Sequence, residues 1–223
     1  MKPRFFVPLF GLVTLLVPPF LILLGLRLLL TPAFLEIEYR LPAFPPDSYG
    51  FTLDDRLRWS KIALEYLLDD ADIDFLADLR LADRAPLYNP RELQHMLDVK
   101  ALTQAVQKVF YAVVALLAVL GICAWRWGGA PAYRRGLRRG GWLTAALVLA
   151  IALLGALSFW QFFTLFHQIF FEGDSWLFLY SDTLIRLFPM RFWQDCFIFV
   201  GGLALLGGLA LGLGLKEKRP AQS

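Results

Sequence analysis

The sequence predicts an all-α membrane protein: four transmembrane helices with a small α/β extracytoplasmic insert between the first and second. Three observations carry that prediction. Four apolar runs, residues 5–30, 109–127, 142–166 and 196–215, reach or approach the ~18 residues needed to cross a bilayer. Basic residues gather at the two ends and between the second and third runs, as in segments kept on the cytoplasmic side. A long polar stretch, residues 31–107, separates the first two runs. At 58% hydrophobic residues the chain is also more apolar than an ordinary soluble domain.

The first run is longer than the ~7–15 apolar residues of a secretory signal and is expected to stay as an anchor. Pro8, Pro18 and Pro19 should kink its helix, which a membrane helix tolerates when neighbours satisfy the freed carbonyls. The orientation follows from Lys2, Arg4, Arg126, Arg134, Arg135, Arg138, Arg139, Lys216, Lys218 and Arg219, against the single acid Glu217. Both termini and a basic loop at residues 126–141 are therefore expected in the cytoplasm, with residues 217–223 as a tail. The insert 31–107 and a second block, residues 167–195, fall outside. A net charge of +3 hides this asymmetry, because the insert is acid-rich around Asp69, Asp70, Asp72, Asp74 and Asp78. The basic loop is explained by topology and anionic lipid, so no nucleic-acid partner is expected. Cys123 and Cys196 fall near opposite faces of the bilayer and are expected to pack as small apolar residues rather than pair.

Within the insert, residues 34–40 alternate, with Leu35, Ile37 and Tyr39 opposite Glu36, Glu38 and Arg40, which predicts a half-buried strand. Pro42, Pro45, Pro46 and Gly50 then break the chain. Thr52, with Asp55 three residues on, starts a helix over residues 54–69. A second start is sharper: Asn89 can cap, Pro90 suits the first helical position, and Glu92 stands where a capping-box carboxylate belongs. Nothing breaks this helix before Gly121, so it should run into the second span. The glycines of residues 201–215 suit close helix packing.

The only two histidines each sit where a polar block meets an apolar run. Helical rise places His95 about 15 Å above a membrane boundary near residue 106 and His167 about 8 Å above one near residue 162, so that the two could meet. Arg91, His95 and Asp98 share a helix face, and a carboxylate there could orient the imidazole. Around His167, Trp160, Phe163, Phe162, Phe166, Phe170 and Phe171 make an aromatic surround of the kind found at membrane interfaces. Asp182 and Arg186 stand at ion-pair spacing, and the mixed polar and aromatic block 167–195 could form an interfacial lid over an acyl-chain site.

Familiar catalytic patterns are absent. There is no Gly-x-Ser-x-Gly elbow to activate Ser175, no H-E-x-x-H and no Gly-rich phosphate loop. Two histidines make a poor zinc site unless Asp98 or Asp174 joins them, so no metal and no cofactor is expected.

Two blocks resemble the lipoprotein intramolecular transacylase (Lit) family of bacterial membrane proteins. One is Asn89-Pro90-Arg91-Glu92-Leu93-Gln94-His95-Met96-Leu97-Asp98-Val99-Lys100; the other runs from Phe166-His167 through Trp176 and Asp182-Thr183-Leu184-Ile185 to Phe188-Pro189 and Phe192-Trp193. The four-span layout with its insert agrees. The resemblance implies a fatty acid moving from the sn-2 position of the diacylglyceryl group to the α-amine of the N-terminal cysteine of a lipoprotein, giving the lyso form. In that family two histidines are held to be catalytic, and His95 and His167 occupy the matching positions. Candidates for substrate positioning or for support of the histidines are Arg91, Glu92, Asp98, Asp174, Trp176, Asp182 and Arg186. The implied partners are a diacylated lipoprotein and membrane lipid, with no obligate protein partner. The implied location is a bacterial cell membrane with the site outside. Alternatives are a non-enzymatic membrane accessory protein and a zinc-dependent membrane hydrolase.

Overall fold

The computed structural model describes residues 7–42 and 44–215. Lys2, Arg4 and the tail beyond residue 215 lie outside the described residues, as does part of the charge pattern read from the sequence. The described residues form nine helices: α1 (Val7–Leu29), α2 (Pro32–Glu38), α3 (Leu53–Leu68), α4 (Asp74–Ala77), α5 (Pro90–Arg126), α6 (Ala130–Leu157), α7 (Phe159–Phe170), α8 (Thr183–Leu187) and α9 (Met190–Gly214). Of these, α1, α5, α6 and α9 are long and apolar enough to cross a membrane. By contact pattern the chain divides into two compact units.

The first unit comprises residues up to 26, residues 108–157 and residues from 199 onward. Its helices approach closely at glycines, which meet another glycine or a valine of a neighbouring helix. A Cβ on Gly141 would lie 2.4 Å from the carbonyl oxygen of Gly208, and one on Gly140 would lie 2.5 Å from the Cβ of Val17. With little hydrophobic drive between helices in lipid, such close backbone contact is what holds them. Polar bonds add to it: Tyr133 donates to the Leu117 carbonyl at 3.0 Å and Arg138 to that of Gly212 at 3.2 Å. Arg134, Arg135, Arg138 and Arg139 belong to the opening turns of α6, so the segment read as a basic loop is mostly helix.

The second unit, residues 27–107 and 158–198, is also helical. No strand occurs among the described residues, only an isolated bridge between Arg80 and Pro86, and the expected α/β character of the insert is corrected to all-α. The segment read as a strand is α2. Thr31 caps it by accepting from the Phe34 N–H, and Pro32 occupies its first turn. The cap and proline outweigh the alternation, since helical spacing buries Leu35 and Tyr39 together and leaves Ile37 64% exposed. The expected helix after Thr52 is α3, with the full reciprocal box between Thr52 and Asp55.

The third apolar run is not one helix. It stops at Leu157, and Ser158 caps a new helix, α7, by accepting from the Gln161 N–H. His167 thus belongs to a short amphipathic helix rather than to the end of a span. The core that positions α5 is formed by Trp59, Tyr66, Leu76, Leu87, Met96, Leu184 and Leu187, from α3, α4, α5, α8 and the connection before α5. Both cysteines are free thiols.

Candidate functional site

The first turn of α5 carries a connected polar network. Asn89 Oδ1 accepts from the N–H groups of Arg91 and Glu92, each at 3.0 Å, and the Asn89 N–H donates to Glu92 Oε2 at 2.8 Å. This is the capping box expected from sequence, but the glutamate does more. Its other oxygen accepts from the N–H of Leu184 in α8 at 2.7 Å, and the side chain is only 1% exposed. One carboxylate therefore satisfies donors at the starts of two helices. Burial pushes its pKa up, while backbone N–H groups act in the opposite direction. Alongside it, Thr183 donates to the Leu87 carbonyl and Asn89 Nδ2 to Asp182 Oδ1 at 3.2 Å.

His95 stands one turn further along α5. The apolar part of α5 begins at Val109, because Gln94, Asp98, Lys100, Gln104, Gln107 and Lys108 make the preceding turns polar; His95 lies about 20 Å before it along the helix. The ring of His95 stacks toward that of His167, with centroids 6.2 Å apart and planes 24° apart. Both are nearly buried, at 8% and 7% exposure. Aromatic rings enclose them: Phe171 at 4.9 Å and Phe178 at 5.3 Å from His95, and Phe163 at 4.1 Å and Trp176 at 4.9 Å from His167.

The two imidazoles differ in their bonding. His167 Nδ1 lies 2.8 Å from the Phe163 carbonyl oxygen, one turn back on α7. A carbonyl only accepts, so Nδ1 carries the hydrogen and the neutral ring presents its lone pair at Nε2. His95 Nδ1 is buried with no hydrogen-bond partner. Burial pushes the His95 pKa down to about 4, with His167 adding to the effect, and burial lowers that of His167 as well. Both rings are neutral near pH 7.

The other candidates fall into distinct places. Asp98 does not engage His95: its hydrogen bonds are from Gln94 at 3.2 Å and Ser175 at 3.5 Å. Arg91 is exposed and donates to the Leu177 carbonyl at 3.1 Å. Asp174 is exposed in the turn after Gly173. Asp182 and Arg186 do not pair with each other. Asp182 accepts from the Leu179 N–H, whereas Arg186 pairs with Asp47 at 3.0 Å and lies over the Phe51 ring, tying the proline-rich segment to α8. Phe178 was missed as a histidine neighbour, since an irregular loop has no period from which its facing could be read.

Two cavities flank the loop between α7 and α8. One of about 340 Å³ is lined by Asp98, Ala101, Leu102, Phe170, Phe171 and Glu172. The other, of about 500 Å³, is lined by Asn89, Arg91, Leu177, Phe178, Leu179 and Asp182. Each is walled by one of the phenylalanines that pack on His95. No group of three or more His, Cys, Asp or Glu side chains suited to a metal occurs among the described residues.

Fold and site define an all-helical, multi-pass membrane protein whose two histidines form a desolvated pair in an aromatic enclosure. The chain belongs to the lipoprotein intramolecular transacylase (Lit) family, whose model matches residues 11–193, and the protein is a transacylase of that class. It is similar to an uncharacterized protein of Aquifex aeolicus (strain VF5), 30% identical over 219 residues and 95% of each chain. In fold it resembles the in meso structure of the membrane integral lipoprotein intramolecular transacylase Lit from Bacillus cereus, with TM-score 0.75, 20% identity and 94% of each chain covered. A structure of that protein with a histidine replaced by alanine gives TM-score 0.71 at 19% identity, covering 95% of this chain and 92% of that one.

Two outcomes follow from this site. Glu92→Ala leaves the Asn89 and Leu184 N–H groups unpaired in the interior and is expected to cost about 2–4 kcal/mol of stability, with Glu92→Gln losing less. Thermal unfolding in detergent measures this, and a wild-type midpoint for the alanine variant would contradict it. The folded protein refuses protons at His95 and His167 that the unfolded chain accepts near pH 6.5. Stability is therefore whole above pH 6.5 and declines as pH falls through about 4. His95→Phe should flatten part of that acid slope, and an unchanged slope would refute the assignment.

Proposed function

We propose that the histidine pair handles the protons of an acyl transfer within one diacylated lipoprotein. The α-amine of the N-terminal cysteine attacks the sn-2 ester carbonyl; an N–C bond forms, the ester C–O bond breaks, and the lyso-form amide results. His167 is the base. The observation that carries this is its Nδ1 hydrogen bond to the Phe163 carbonyl, which fixes the tautomer and leaves Nε2 to take the amine proton. The same nitrogen then returns a proton to the departing glycerol oxygen. His95, neutral by burial, orients the ester or the amine by hydrogen bonding.

The reaction suits the site. Amine and ester belong to one molecule, so binding supplies proximity and no enzyme nucleophile is required. In this reading the smaller cavity, with Ala101, Leu102, Phe170 and Phe171 in its wall, takes the ester end of the acyl chain, and the larger, beside Arg91, takes the polar part of the lipoprotein. The charge pattern supports cytoplasmic termini and a site at the extracytoplasmic face of a bacterial cell membrane.

His167→Ala and His95→Ala are each expected to reduce conversion of diacylglyceryl lipoprotein to the lyso form by at least about a hundredfold, with membrane insertion preserved. Mass spectrometry locating the acyl chains, in a host that makes only diacylated lipoproteins, reads the outcome. Conversion at the wild-type rate in either variant removes that residue from the mechanism.

A further inference from the structure

We propose that Trp176 is a further catalytic residue, its indole N–H donating to the oxygen of the ester carbonyl as that oxygen gains charge. This rests on the acyl-transfer reading above. Among the described residues, the ring enclosure holds two buried polar side-chain atoms without a hydrogen-bond partner, His95 Nδ1 and Trp176 Nε1. An unpaired polar group in the interior is costly, and an indole N–H only donates, so it calls for an acceptor that the protein does not provide. The ester carbonyl oxygen, placed for attack beside His167 Nε2, is such an acceptor.

Trp176 is held for this task. It is 8% exposed, and its ring lies 4.9 Å from that of His167. The residues on either side are fastened to α5, the helix of His95: Ser175 Oγ donates to Asp98 and Arg91 donates to the Leu177 carbonyl. The turn that delivers it uses Gly173 at φ 65°, a conformation that favours glycine, and is closed by the Leu177 N–H on the Asp174 carbonyl. The electron flow balances without a further reactant. Amine attack moves the carbonyl π pair onto oxygen, where the indole N–H meets it; collapse restores the carbonyl and expels the glycerol oxygen, which takes the proton held by His167.

The donor can be removed while an aromatic side chain is kept, and in the benzothienyl variant while the bicyclic shape is kept. Trp176→Phe, and a variant carrying 3-benzothienylalanine at position 176, with sulfur in place of the N–H, are compared with wild type on a diacylglyceryl-cysteine peptide in detergent micelles. Both are expected to lower kcat by roughly a hundredfold, as loss of one oxyanion donor does. KM and the acid limb of the pH profile should stay in place, because indole does not titrate there. A benzothienyl variant with wild-type kcat overturns the proposal and leaves the acyl-transfer reading standing. No turnover by wild type would overturn both.

Discussion

The buried carboxylate of Glu92 is the constraint on which the site depends. It accepts from the start of α5 with one oxygen and from the start of α8 with the other. The loop between α7 and α8 is thereby fixed at its far end against α5, while its near end is the last turn of α7. His95 follows Glu92 by one turn, and His167 lies one turn before Phe171. The capping geometry of one residue thus decides that two histidines from distant parts of the sequence share one enclosure. A glutamine offers one acceptor oxygen in place of two, so it keeps only one of these bonds, and the paired oxygens of this residue are part of the architecture.

The enclosure then sets the chemistry. Aromatic rings exclude water from both imidazoles, and burial keeps them uncharged. In the proposed reaction, a substrate amine with pKa near ~8 gives its proton to one of these neutral rings, held beside the ester. On that proposal the substrate brings its own nucleophile, and no serine elbow is needed. On the same proposal the hydrogen bond from His167 to its own helix takes the orienting part that a carboxylate plays elsewhere, and Asp98 instead accepts from Ser175 of the loop.

Much of this was legible in the sequence, for identifiable reasons. Asn89-Pro90 and Glu92 announce a helix start by local chemistry, and Thr52 with Asp55 does the same; both act within four residues, so spacing alone reveals them. Residues 34–40 misled because a short segment can alternate by chance, and the local cap at Thr31 settled its state. The third span was read too long because hydropathy is blind to Ser158, a cap lying inside an apolar run. Arg186 chose Asp47, 139 positions away, over Asp182 four positions away, and only tertiary packing makes that choice. The pairing of His95 with His167 was visible as a shared boundary position, whereas the faces of Trp176 and Phe178 depend on an aperiodic loop.

The central claim is that both reacting groups come from one substrate molecule and that no acyl group rests on the protein. A crossover experiment tests it most directly. Lipoprotein carrying an isotopically labelled sn-2 chain is mixed with unlabelled lipoprotein of distinguishable peptide mass and incubated with the enzyme, and the products are weighed. The account predicts that each lyso-form product retains its own acyl chain, with no exchange between the two peptides. Labelled acyl groups on the unlabelled peptide, or on the protein itself, would contradict it.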